Sequence, residues 1–268
     1  QAVGAVGTAN TYIGIFIIMF SVISSGMVAV MTQNIGAGRP GVAYQARQLG
    51  LAFNAVLGVI MSLFLSLGAG TILSGVGVAD ALMQPAKTYL QIVGGFCILN
   101  ALIPICSSYL RAFGFSKEPL YASIIGNVIN FCLNAFFLFV LHKGVAGVAT
   151  ATVISRIINL VIVVLLGAVL VKAKQHPERE AVMGQIIRIG LPSACETAIY
   201  NVSMTLVIRF LNQMDAQGLN VTARSYTMQI TNFSYCVGAA LAQANAIMTG
   251  WHIGAKEYDA CDRGTKKA

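Results

Sequence analysis

Hydrophobic residues in this chain fall into seven long runs separated by short polar segments. The runs lie near residues 11–33, 50–75, 88–113, 119–141, 145–171, 189–212 and 225–250. Each has the length, about 20 residues, that an α-helix needs to cross roughly 30 Å of hydrocarbon. The runs lack the polar–apolar alternation of barrel strands. The pattern therefore predicts an all-α, polytopic integral membrane protein, a helix bundle with seven transmembrane helices.

Polar residues interrupt the fourth and fifth runs at membrane depth. Asn127, Asn130 and Asn134 are spaced i, i+3 and i+7, so they share one face of the predicted helix. Thr152 and Arg156 lie one turn apart in the next run. Polar groups in hydrocarbon are costly unless they face protein or a water-filled cavity, so this set indicates a functional site. The alternative is that the asparagines only bond neighbouring helices together.

Glu196 is the one acidic residue inside the seven runs, and Tyr200 and Ser203 follow it on the same helical face. Burial keeps a carboxyl group protonated, whereas an approaching organic cation favours the ionised form. Glu196 could therefore couple proton release to cation binding, and the ring of Tyr200 could stack on the cation. The alternative is a structural ion pair between Glu196 and Arg156 or Arg209.

The distribution of charge predicts the orientation in the membrane. The chain has a net charge of +8, from 17 Lys and Arg against 9 Asp and Glu. Twelve of the basic residues follow alternate runs, the first, third, fifth and seventh: Arg39, Arg47, Arg111, Lys117, Lys172, Lys174, Arg179, Arg188, Lys256, Arg263, Lys266 and Lys267. By the positive-inside rule these loops are cytoplasmic and residue 1 starts outside. The positive charge is thus an orientation signal, and we expect no nucleic-acid partner.

Composition argues against several other classes of protein. Hydrophobic residues make up 57% of the chain and charged residues 10%, whereas a soluble domain is about 25% charged. A membrane-embedded enzyme would need clustered His, Asp or Glu, which the runs do not contain. A channel would need a charged ring or a filter sequence. We therefore expect no enzyme, no cofactor and no metal site.

Two helix ends resemble each other across the chain. The first run ends in IGAGR at 35–39 and the seventh in IGAKE at 253–257, which are 218 positions apart. Six helices lie within this offset, so the pattern predicts a parallel repeat. A polar segment, VKAKQHPERE at 171–180, then reads as a linker. If the first run is the second helix of its six-helix unit, the chain comprises an N-terminal lobe at 1–178 that lacks its first helix, and the first two helices of a C-terminal lobe at 179–268.

The central part of the chain resembles the MATE family, the multidrug and toxic compound extrusion transporters. The matching residues keep the family's order and spacing: RAFG at 111–114, Lys117, Pro119, Asn130, Asn134 and GVATAT at 147–152. IGAGR at 35–39 agrees too, and so does GLP at 190–192 with Glu196 after it, as in a bacterial branch of the family. The resemblance covers nearly the whole chain, as helices two to eight of twelve.

The resemblance implies two six-helix lobes around a V-shaped cavity, and export of organic, often cationic, compounds in exchange for Na⁺ or H⁺. It implies a cation site in which Asn130 and Thr152 match the family's residues, whereas Asn134 stands where the family has an Asp. Substrate or proton coupling would then involve Glu196, Tyr200 and Arg156.

The expected setting is the cytoplasmic (inner) membrane of a bacterium, where a multi-pass protein contacts the lipid bilayer and small organic substrates and acts as a monomer. Without helices from both lobes, the chain alone is not expected to transport. The alternative function is a flippase of the same superfamily for lipid-linked precursors or polysaccharide units. Such a flippase should line its cavity with several basic residues that bind phosphate.

Overall fold

The computed structural model describes residues 20, 23–75, 80–171, 182–214 and 219–267. In these ranges the chain forms nine α-helices and a π-helical turn, without strands. The helices are α1 (23–36), α2 (Pro40–Gly75), α3 (Asp80–Gly95), α4 (Ile98–Ala112), α5 (Lys117–Ala135), α6 (Gly144–Leu170), α7 (Val182–Met214), α8 (Leu219–Gly254) and α9 (Tyr258–Lys267), with the π-helical turn at Phe136–Val140. The predicted boundary between lobes at 178/179 lies outside the described residues.

Several helices have the length and composition of membrane spans. Three of those searched in the described chain, Pro40–Ser74, Lys117–Val140 and Gly144–Leu170, are long and apolar enough to cross a membrane, and a bent pair would make a fourth. Large apolar side chains cover their outer faces, including Leu67 at 83% and Phe139 at 76% exposure. Such faces suit contact with lipid. The prediction of an all-α, polytopic membrane fold is confirmed.

The third predicted run, 88–113, is not one helix, so this part of the prediction is wrong. α3 and α4 meet at an angle of 43° across Phe96 and Cys97. Gly94 and Gly95 directly precede the break. Glycine stabilises a helix less than other residues because it loses more conformational freedom there. The backbone N–H of Ile98 donates to the hydroxyl of Ser62 on α2 at 3.1 Å, in place of an acceptor in its own helix.

Buried side chains form two clusters, and α6 contributes to both. The first cluster lies among α1, α2, α4, α6 and the start of α7, and contains Met27, Met31, Val42, Ile105, Leu110, Val163 and Ile186. The second lies among α2, α3, α4 and α6, and contains Leu65, Leu73, Leu90, Val93, Leu99, Ala149 and Val153. α5 packs mainly against α6. The bundle thus holds one face of α6 in the core and another towards α5.

α1 and α8 end in the same way, as the repeat predicts. Three backbone bonds close each helix, and each bond in α8 lies 218 positions after its counterpart in α1. The donors and acceptors are Ala37 to Gln33, Gly38 to Ile35 and Arg39 to Asn34, then Ala255 to Trp251, Lys256 to Ile253 and Glu257 to His252. Gly38 and Lys256 are both left-handed, with φ of 72° and 62°. This is the Schellman termination of a helix, and the equivalence of the two ends is confirmed.

The ends of α1, α4 and α8 lie together, and we call this side of the bundle the basic end. It carries Arg39, Arg111, Lys117 and Lys256, and the indole N–H of Trp251 on α8 donates to the carbonyl of Ala112 on α4 at 3.0 Å. All four basic residues belong to segments predicted to be cytoplasmic.

Lys256 leads to a prediction about stability. Replacing Lys256 by Gly removes the Cβ that the left-handed conformation disfavours, so the free energy of unfolding should rise by up to about 1 kcal/mol. Lys256→Ala removes the same charge but keeps the Cβ, and it should give no such gain. Thermal unfolding of the purified protein in detergent compares the two. An equal gain in both variants would contradict the conformational explanation.

Candidate functional site

A polar cavity of about 160 Å³ lies between α5 and α6. The facing surfaces of the two helices line it with Gly126, Asn127 and Asn130 from α5, and Thr152, Ser155, Arg156 and Asn159 from α6. The four residues of α6 recur at helical spacing, so they share one face. The structure therefore brings the predicted residues Asn130, Thr152 and Arg156 to one cavity.

Hydrogen bonds link the cavity residues into a chain. The amide N–H₂ of Asn134 donates to the side-chain oxygen of Asn130 at 3.0 Å, and the amide of Asn130 donates to the Ser155 hydroxyl at 3.2 Å. Ser155 in turn donates to the backbone carbonyl of Thr152 at 2.9 Å. Thr152 donates its own proton to the carbonyl of Val148. The hydroxyl oxygens of Thr152 and Ser155 thus remain acceptors towards the cavity.

Two side-chain oxygens, Oδ1 of Asn159 in the cavity lining and Oδ1 of Asn134 just outside it, are buried without a hydrogen-bond partner among the described atoms. Because Asn134 donates to Asn130 through its amide nitrogen, its side-chain oxygen is directed away from Asn130. A buried acceptor without a partner is costly. Such oxygens can accept a hydrogen bond or coordinate a hard cation such as Na⁺. Among the described residues, no group of three or more His, Cys, Asp or Glu could hold a metal ion.

Arg156 is the one charged residue among those that line the cavity. Because its positive charge opposes a bound cation, and no described carboxylate lines the cavity, amide oxygens alone would hold Na⁺ weakly.

Glu196 and Tyr200 lie apart from this cavity. Both are exposed on α7, Tyr200 by 56%, and neither lines the space between α5 and α6. The ion pairs of the described residues include none between Glu196 and Arg156, and the side chain of Arg209 lies outside the described part. The structure thus groups the four predicted residues of α5 and α6 and leaves the α7 pair on a separate surface.

Sequence reasoning missed three residues of the site, Gly126, Ser155 and Asn159. Ser155 is buried and bonds Asn130. Gly126 lets α6 approach closely, since a Cβ there would lie 3.3 Å from the Cβ of Asn159. The available signal was the helical face of Thr152, which contains Ser155 and Asn159 at i+3 and i+7.

Comparison with known proteins places the chain among transporters. The MatE family model matches residues 1–136, half of the chain. The uncharacterized transporter YisQ of Bacillus subtilis is 33% identical over 270 residues, covering 97% of this chain and 59% of that protein. YoeA of the same organism, described as a probable multidrug resistance protein, is 24% identical over 277 residues, covering 96% and 58%.

A solved structure shows the same fold. It is the outward-facing conformation of a multidrug resistance MATE family transporter of the MOP superfamily, with a TM-score of 0.84 at 20% sequence identity. The superposition covers 97% of this chain and 59% of that one. The chain therefore spans somewhat less than two thirds of the relatives it matches. With the MatE match over half of its length and this helical architecture, the chain belongs to the MatE family of membrane transporters.

Proposed function

We propose that this protein is a secondary transporter that exports organic, often cationic, compounds across a bacterial cytoplasmic membrane in exchange for Na⁺ or H⁺. The observation that carries the proposal is the polar cavity between two otherwise apolar helices, in which one oxygen of the lining, Asn159 Oδ1, is buried without a partner among the described atoms. Polar groups at membrane depth mark ion and substrate pathways. The multidrug resistance function attributed to YoeA supports the choice of substrate class.

In this proposal Asn130, Asn134 and Thr152 supply oxygens to the coupling cation. Asn130 already bridges α5 to Ser155 on α6, so a bound ion would tighten an existing contact between the two helices. Arg156 opposes the ion, and a carboxylate from outside the cavity lining must offset its charge. Binding at this site would therefore depend on the charge state of groups beyond α5 and α6.

Glu196 is the proposed second coupling group. It lies on an exposed face of α7 with Tyr200 one turn later, so a substrate in the central space of a two-lobed transporter could contact both. A cationic substrate would favour the ionised carboxylate and release a proton, while the phenol ring would stack on the cation. The separation from the α5–α6 cavity means that ion and substrate need not compete for one site.

A flippase is the second candidate, and one observation favours it. The cavity contains Arg156 and no described carboxylate. A positively charged lining of this kind suits a phosphate group. Phosphate recognition by transporters of this kind would call for several basic residues, and the cavity supplies one. Drug export therefore stays the first choice.

The first prediction about transport concerns Glu196. We expect proteoliposomes that contain the full-length protein and ethidium to release the dye under an imposed Na⁺ or pH gradient. Glu196→Gln should slow release by about tenfold or more, since loss of a charge–cation contact of about 1.4 kcal/mol has that effect. The matched control is Asp262→Asn, because Asp262 forms an exposed pair with Lys266 on α9 and such pairs contribute little.

The outcomes separate the two functions. Equal rates for Glu196→Gln and the unsubstituted protein would make Glu196 structural, and the gradient that drives release identifies the coupling ion. No release under either gradient would contradict the export proposal and favour the flippase.

The second prediction concerns the cavity. Ser155→Ala removes the acceptor for the Asn130 amide, and loss of one hydrogen bond of about 1 kcal/mol should raise the coupling-ion concentration for half-maximal release by about fivefold. Ser123→Ala is the control, because Ser123 lies on α5 outside the cavity and bonds only the carbonyl of Pro119. The same ion dependence in both variants would argue that the cavity does not bind the coupling ion.

A further inference from the structure

At the basic end, α1 and α8 cross so closely that only glycine fits at the contact. A Cβ on Gly36 would collide with the backbone carbonyl oxygen of Trp251, and a Cβ on Gly254 with that of Gln33. A Cβ on Gly250 would collide with the hydroxyl of Thr32. The two backbones therefore touch directly, which is how small residues let membrane helices approach.

The contact is reciprocal between the two copies of the repeat. Gly36 and Gly254 are 218 positions apart, and so are Gln33 and Trp251. Each glycine thus meets the carbonyl that corresponds to the one its counterpart meets. Position 250 likewise faces position 32, its own equivalent. Such reciprocity is typical of a contact on a two-fold axis. The two repeat-related helices, α1 and α8, thus contact each other through equivalent positions.

Two hydrogen bonds outside the crossing join α4 to α8. The indole N–H of Trp251 donates to the carbonyl of Ala112 at 3.0 Å. The other backbone bonds at the end of α4 use earlier carbonyls, of Tyr109, Leu110 and Arg111, so Trp251 satisfies one that the helix itself leaves open. The guanidinium of Arg111 donates to the side-chain oxygen of Gln243 at 3.2 Å.

We propose that the glycine crossing of α1 and α8, with the Trp251–Ala112 bond, is the latch that holds the basic end closed in the transport cycle. The inference rests on the proposed transport function, in which this end must open to the cytoplasm to receive substrate. Opening requires α1 and α8 to separate and Trp251 to leave Ala112. The contacts are backbone packing and two hydrogen bonds without a buried ion pair among the described residues, so they are individually weak. Weak contacts suit a closure that must release in every cycle.

Thiol labelling in the full-length protein tests the latch. Thr32 is fully buried at the crossing, and Thr32→Cys is a small change whose thiol should react slowly with a membrane-impermeant maleimide while the latch is closed. Adding Gly254→Ala should speed the labelling by about tenfold or more, the expected effect of overpacking on an open–closed equilibrium. The protein with only its native cysteines gives the background.

Gly238→Ala is the matched control, because it makes the same change on α8 at a position with no atom within 4 Å of the added Cβ. It should leave the labelling rate unchanged. Trp251→Phe is the second variant, which keeps an aromatic ring but removes the donor to Ala112 and should also speed labelling. If Gly254→Ala does not give a monodisperse protein, the labelling rate of the Trp251→Phe variant tests the latch instead.

Labelling that neither Gly254→Ala nor Trp251→Phe accelerates would overturn the latch, as would equal acceleration by Gly238→Ala. This readout does not require transport. Normal ethidium release with unresponsive labelling would therefore reject the latch alone. Responsive labelling without any ethidium release would retain the latch as a closure and reject the export proposal.

Discussion

Hydrocarbon offers no water to backbone N–H and C=O groups, and three departures from a plain helix in the described part of the chain keep such groups bonded. At the break between α3 and α4, the hydroxyl of Ser62 accepts the N–H of Ile98. At the end of α5, a π-helical turn lets the N–H of Leu141 bond the carbonyl of Phe136 at 3.1 Å. At the end of α4, Trp251 takes up the carbonyl of Ala112. At two of these places a second helix supplies the missing partner, and at the π-helical turn the partner lies in the same segment.

The polar cavity follows the same rule with side chains. Asn130 both accepts from Asn134 and donates to Ser155, so its amide is satisfied on both sides. The side-chain oxygens of Asn134 and Asn159 are left without a hydrogen-bond partner among the described atoms. Asn159 lines the cavity, whereas Asn134 lies just outside the lining. Arg156 adds a constraint, since it places a positive charge in the cavity lining.

Local patterns in the sequence predicted much of this structure, and long-range contacts explain most of what they missed. The apolar runs indicate the helices because about 20 apolar residues suffice to specify a span. Asn130, Asn134 and Thr152 were found through spacing and family resemblance; Asn130 and Thr152 line one cavity, Asn134 bonds Asn130, and their role as a cation site stays a prediction. The Gly94–Gly95 pair is a local signal for the α3–α4 break, but the hydrogen-bond acceptor there comes from Ser62, 36 residues before Ile98, which no local pattern reveals. The matching glycines at 36 and 254 indicated a repeat in the sequence, but they did not indicate that the two repeated segments contact each other. The roles of Glu196 and Tyr200 stay predictions, because neither contacts the cavity.

Lys256 stands in the second copy of the helix end where the first copy has Gly38, and both have left-handed backbone. An L-residue in this conformation costs about 1 kcal/mol or more, so conformational preference alone would favour glycine in both copies. Lysine, however, adds a positive charge directly after α8, and in the predicted orientation such a charge would help to hold this helix end on the cytoplasmic face during insertion. In that orientation a small loss of stability in the folded protein would accompany a more reliable choice of membrane topology, which is decided before folding is complete.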